Sequence, residues 1–398
     1  MASQFLCVVI LLVAGFVSAQ ESGSAANKAA LQSAAQAISA GKLDKAENDL
    51  HSVLQSSPDE SSALDLLGVI RILQHREPEG LDLFNRVVRN DPNLAPGRAH
   101  LGLLYLQMGR PQEAVPQLRE ALHLDPARTD AAGALVHILQ DQSQAAVNAG
   151  KINEAMGLLN EARRIAPDNA DVQYAFGLLA LRLWLLPDAV RALQKTLELR
   201  KNDPLALYNL GRAFTELSKF EEARQQFAEY IRIRPDDPSG HCALGMTLAA
   251  LERSQEARAE FERSIDMTPV QTESYYGLGL LELQSREFME ASAHFRQVLE
   301  REPANTLALM ALGKAAFEQK HYEDAIPLLQ QAIAHDDAMR EAHYYLGLTF
   351  ARTGRKAESA EQLEIATRLE HTEAERRRTM WTISEPPTTS HQQPSIPK

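Results

Sequence analysis

The 398-residue chain carries 53 acidic and 41 basic side chains, a formal net charge of -12, with the two signs interspersed along its length. That balance keeps a long chain soluble and disfavours nucleic acid as a partner, since no basic stripe stands ready to neutralise phosphates. The two cysteines, Cys7 and Cys242, give no disulfide framework, so the fold must be held by packing.

Residues 5–17 are almost wholly apolar and are followed by Ser18, Ala19 and Gln20, with small side chains at Val17 and Ala19. This predicts a secretory signal peptide over residues 1–19, cleaved after Ala19, and hence a periplasmic or secreted protein. The leader has no Lys or Arg, so retention as an uncleaved anchor is the alternative. After cleavage no segment approaches the roughly 20 apolar residues of a membrane span. Residues 20–26 are small and polar and read as a flexible lead-in.

From residue 27 to residue 373 the chain repeats itself every 34 residues, with one interruption. Ten repeats begin at Asn27, Ser61, Ala95, Thr129, Ala170, Pro204, Pro238, Thr272, Thr306 and Arg340. Large apolar residues recur three or four apart in each half of a repeat, which predicts two amphipathic helices. A small residue, as in Gly68, Gly211 and Gly279, recurs at position 8, and Ala, as in Ala114, Ala223 and Ala325, at position 20. Both lack bulk where the two helices would cross. Pro at position 32, as in Pro92, Pro235 and Pro303, closes the second helix, and an Asp or Asn after it can cap the next.

The divisions that follow are residues 27–128 for repeats one to three, 129–169 for repeat four, and 170–373 for repeats five to ten. Repeat four holds seven extra residues near 139–147 and has Val136 in place of the small residue. Seven residues make about two helical turns, so either the first helix lengthens or a bulge loops out. Trp184 stands at a turn position where repeats one and three have Gly41 and Gly109. Residues 374–384 extend the last helix as a cap, and the Pro- and Ser-rich residues 385–398 are predicted to be disordered.

This pattern resembles the tetratricopeptide repeat, whose 34-residue unit carries Leu-Gly, a large residue three further on, then Ala, Phe, Ala and Pro. The resemblance spans nearly the whole chain and implies an all-α, right-handed superhelical solenoid of about ten two-helix units. It also implies that the first helices line a concave groove through positions 2, 5, 9, 12 and 13. The groove candidates at positions 5 and 9 are Tyr174, Tyr208, Arg212, Met246, Tyr276, Met310, Lys314 and Tyr344. Tyr and Met there suit an extended peptide or a partner helix; packing between adjacent first helices is the other reading of the same residues. Position 6 is Asn only at Asn209, which argues against an asparagine ladder along a bound backbone.

No zinc, haem or redox motif and no glycine-rich phosphate loop occurs, so neither a metal nor another cofactor is expected. The expectation is a non-enzymatic scaffold or adaptor of the cell envelope that binds a protein or peptide on its concave face, within an envelope complex. The alternative is an accessory protein of polysaccharide or pilus export.

Overall fold

The structure, a computed structural model, describes residues 25–384, with side chains to residue 372. The expected signal peptide, most of the lead-in and the expected disordered tail lie outside the described residues. Among these there are twenty helices and no strand. The chain forms two compact units, Met1–Lys201 and Asn202–Lys398. The first holds α1 (Ala25–Ser39), α2 (Leu43–Ser56), α3 (Ser61–Leu73), α4 (Glu77–Asn90), α5 (Ala95–Gln107), α6 (Pro111–Leu124), α7 (Thr129–Asn148), α8 (Ile152–Ile165), α9 (Ala170–Arg182) and α10 (Leu186–Leu199). The second holds α11 (Pro204–Glu216), α12 (Phe220–Ile233), α13 (Pro238–Ala250), α14 (Ser254–Met267), α15 (Thr272–Gln284), α16 (Phe288–Arg301), α17 (Thr306–Glu318), α18 (Tyr322–His335), α19 (Arg340–Arg352) and α20 (Lys356–Ser384). Each helix packs chiefly on its hairpin partner, as in a right-handed solenoid of helical pairs.

Every hairpin turns in the same way. The residue fourteen beyond the start of a regular repeat is left-handed: Gly41, Gly109 and Gly354 occupy it with φ of 69° to 81°, and Gly150 does so in repeat four. In the other six repeats His75, Trp184, Ser218, Glu252, Arg286 and Lys320 adopt the same conformation at φ of 56° to 65°. Around Ser218 the bonds are Ser218 N to Thr215 O at 2.9 Å and Lys219 N to Phe214 O at 2.8 Å, the paired closure that satisfies the last carbonyls of a helix. Four first helices are capped as their sequence predicts, by Asn169, Asp203, Asp237 and Asn305, whose side chains accept from backbone N–H groups of the first turn.

The small residue at position 8 meets a side chain four residues beyond the expected position 20. A Cβ on Gly211 would lie 2.7 Å from Phe227, one on Gly245 2.8 Å from Phe261, and one on Gly279 2.6 Å from Phe295. The phenyl rings are fully buried and lie on bare helix backbone. In repeat four the residue at this crossing is Ser143 and not Val136: it stands seven before Gly150, as Gly211 stands seven before Ser218. Its Oγ donates to the Ala155 carbonyl at 3.1 Å. The extra residues are helical within the 20-residue α7. Two turns restore nearly the same face, so Val136 and Ser143 are both buried, Val136 sharing a core with Val115 and Leu118.

Consecutive repeats are also joined by a polar clip that the apolar periodicity does not announce. At position 4, Arg98 Nε donates to Pro92 O at 2.6 Å and its Nη1 to Gln117 at 3.0 Å. Gln173 donates to Pro167 O at 2.7 Å, His241 to Pro235 O at 3.0 Å, and His343 to Asp337 O at 3.0 Å. Each donor reaches the carbonyl third from the end of the preceding repeat.

Relieving the left-handed strain at Glu252 or Lys320 by substitution with Gly is expected to stabilise the protein by about 0.5–1 kcal/mol, read from the urea midpoint. Gly211→Ala is expected to destabilise it by about 1–3 kcal/mol, because Phe227 has no room to retreat. A pH effect arises at Tyr230, whose hydroxyl donates to Asp237. Burial and then this bond push the phenol up to about 12. Burial acts to raise Asp237, but the bonds from Tyr230 and the Ser239 N–H outweigh it and hold the carboxyl below its usual range. Stability from Asp237 is therefore full above the ordinary Asp value of about 3.9 and lost as pH falls through the lower folded value. The stability gap between wild type and Asp237→Asn should narrow below about pH 4 in acid titration.

Candidate partner-binding face

The eight candidates occupy first helices, Tyr174 in the first compact unit and the other seven in the second. Tyr174 is half-buried on α9. Tyr208 on α11 is half-buried because its ring lies 5.6 Å from Phe227 and 5.2 Å from Tyr230, centroid to centroid. Tyr276 on α15 sits in the same way 5.8 Å from Phe295. Burial raises both phenols above their ordinary value. Tyr208 and Tyr276 are thus each rooted on the phenylalanine that closes their own hairpin and stay half-buried.

The remaining candidates differ. Met310 is 7% exposed and belongs to the core of α17 to α19, so it offers little surface. Met246 and Tyr344 are each 42% exposed. Arg212 is exposed, with Nη1 donating to Asn209 Oδ1 at 3.3 Å. Lys314 Nζ donates to Glu341 Oε1 at 3.1 Å and lies 5.0 Å from the Tyr345 ring centroid. Burial acts to lower the Lys314 ammonium, but the hydrogen bond and charge of Glu341 outweigh it, and the group is held above its usual range. Tyr344 and Tyr345 meet edge to face at 5.5 Å, so Lys314, Glu341 and the two tyrosines form one cluster.

Position 2 supplies surface that the reading of positions 5 and 9 missed. Leu205 is 56% and Leu307 52% exposed, both on first helices. The signal was present, since position 2 belongs to the groove set that the repeat resemblance implies. With Met246 and Tyr344 they are the large apolar side chains exposed on first helices of the second unit, whose first helices also carry Arg212 and the Lys314–Glu341 pair. The first unit is different: buried Asp65 bonds His100 at 2.8 Å, and Arg128 pairs with Asp130 at 2.6 Å. Among the described residues no group of three His, Cys, Asp or Glu could hold a metal ion, and no helix is long and apolar enough to cross a membrane.

The half-buried and exposed rings should separate on truncation. Tyr276→Ala is expected to cost about 2–3 kcal/mol, since it bares Phe295. Tyr344→Ala should stay within about 0.5 kcal/mol of wild type in the same urea titration.

Comparison with known proteins follows the same lines. The tetratricopeptide-repeat family matches residues 28–95, 174–238, 242–288, 276–328 and 310–369 through one model and 105–181 through a second. The type IV pilus assembly protein PilF of Pseudomonas aeruginosa is 26% identical over 156 residues, which cover 32% of this chain and 62% of that protein. The chain therefore matches about three-fifths of that relative's length. A tetratricopeptide repeat protein from Parabacteroides merdae superposes with a TM-score of 0.52 at 16% identity, covering 59% of this chain and 93% of its own. MamA from Desulfovibrio magneticus gives 0.41 at 22% identity, over 43% of this chain and 97% of its own.

Proposed function

The chain belongs to the tetratricopeptide-repeat family, a family of non-catalytic protein-interaction scaffolds, and from that premise we propose that it is an accessory protein of pilus export in the cell envelope. The observation that carries the binding surface is the row Leu205, Met246, Leu307 and Tyr344, large apolar side chains left exposed on successive or near-successive first helices. Exposure of this kind on one face suits a partner helix or extended segment that buries it. The likeness to a type IV pilus assembly protein supports the accessory role over a free adaptor. The apolar leader supports a place in the periplasm or outside the cell, where such a machine would be met.

In this reading the partner lays an apolar stripe along α11 to α19. Arg212 accepts an acidic residue at one end of the second unit, and the edge of Tyr344 closes the other. Tyr208 and Tyr276 present ring edges between them, while Met246 adapts to the partner's shape.

A photo-crosslinking residue in place of Tyr344, used in the full chain in envelope fractions, should capture a component of a pilus machine. Capture of a soluble client alone would overturn the accessory role. With the partner in hand, Met246→Ala combined with Tyr344→Ala should weaken binding at least tenfold, about 1.4 kcal/mol, at an unchanged urea midpoint.

A further inference from the structure

Of the four clips between repeats, the one at His241 differs in what it demands of its side chain. Nδ1 lies 2.6 Å from Glu260 Oε2, and Nε2 lies 3.0 Å from Pro235 O. A carbonyl oxygen and an ionised carboxylate only accept, so both ring nitrogens must carry a proton. Arg263 Nη1 donates to the other oxygen of Glu260 at 2.8 Å and favours the ionised carboxyl. The ring itself is buried, so water does not stand in for either partner.

His343, at the same position of repeat ten, is the contrast. Its Nε2 reaches Asp337 O at 3.0 Å, but its Nδ1 faces the side-chain amide of Gln362 at 2.7 Å. An amide offers an acceptor or, turned over, a donor, so a neutral ring satisfies both contacts there. The clips made by Arg98 and Gln173 are insensitive to pH as well, since a guanidinium stays charged and an amide does not titrate.

We propose that His241 is held as the imidazolium, and that loss of its proton as the pH rises loosens the joint between repeats six and seven. A neutral ring keeps one N–H, so either Glu260 or Pro235 O is left facing a lone pair in a buried place. The unfolded chain has no such pair of acceptors around the ring. The stability that this proton contributes is therefore full at low pH and lost as pH rises, opposite in sign to that from Asp237. The other charged groups at this end of α13 do not replace it. Tyr230 and Asp237, from α12 and the loop after it, bond each other, and Arg234 acts on that pair. Glu273 of α15, whose charge is felt at the neighbouring Cys242, adds to the attraction for a cation. The joint sets how Leu205 and Arg212 of repeat six stand to Met246 of repeat seven. Its effect on a partner rests on the reading of that face as the binding surface, whereas the joint itself does not.

Hydrogen exchange on the whole protein, corrected for the intrinsic effect of pH, tests the joint with no partner present. Between about pH 6 and 9 the amides of α11 to α13 should lose protection about tenfold or more, while those of α17 to α19 hold theirs. In Glu260→Gln the pH-dependent loss should disappear, because an amide serves a neutral ring, as Gln362 does for His343. Gln362→Glu should install the same loss at the joint of repeats nine and ten. Side-chain ¹⁵N spectra at about pH 7 should show both nitrogens of His241 protonated, its signals identified by their absence in His241→Gln. A neutral His241 in those spectra would overturn the proposal, as would a loss of protection of equal size in wild type and Glu260→Gln.

Discussion

Eight of the ten hairpins are closed by one large side chain of the second helix lying against the bare backbone of a glycine on the first, and the small Ala34 and Ser143 hold that place in the other two. Where the first helix carries glycine, an added Cβ would fall 2.6 to 2.9 Å from that side chain, so the approach excludes any residue larger than glycine without movement. This contact fixes how far the two helices slide along each other. Once that register is set, the turn must reverse the chain seven residues later, and a left-handed residue followed by the paired carbonyl closure does so. The two constraints are linked, and together they account for the ten similar hairpins along a chain whose other positions vary widely.

Much of this was legible because both constraints recur at fixed offsets. The 34-residue period, the small residues, the closing prolines and several caps are local features that repetition makes visible. The left-handed turn was visible only where it used glycine, as at Gly41 and Gly109; His75 and Lys320 take the same conformation with nothing in their type to announce it. Repeat four was misaligned for a related reason. Counting forward from Thr129 gives Val136 the crossing position, but the hairpin is set from its turn, and counting back from Gly150 gives Ser143. A seven-residue helical extension preserves the apolar face, so the apolar pattern cannot tell the two alignments apart.

The candidate face was less legible than the fold because exposure at a fixed offset depends on the neighbours. Tyr276 and Met310 share position 5, yet the first lies on Phe295 and stays half-buried, whereas the second is enclosed by the core of the last repeats. Position fixes direction, and the bulk on adjacent helices decides how much of a side chain remains in view. The same dependence lets one repeat frame carry different chemistry in its two units. In the first, an Asp–His pair is buried at positions 5 and 6 of adjoining first helices, whereas in the second aromatic rings occupy comparable places.

The clips between repeats show why some structural requirements leave little trace in a sequence. The carbonyl third from the end of one repeat accepts a hydrogen bond from position 4 of the next, and Arg98, Gln173, His241 and His343 each supply it. Three residue types serve because the carbonyl requires only a donor at the right reach. The partner on the second helix varies too, Glu260 for His241 and Gln362 for His343. A requirement for a hydrogen-bond donor tolerates substitution among donors, whereas the bare backbone under Phe227 tolerates almost none. Repetition therefore exposes the steric constraint and conceals the polar one, although both help to set the first helices on which a partner would lie.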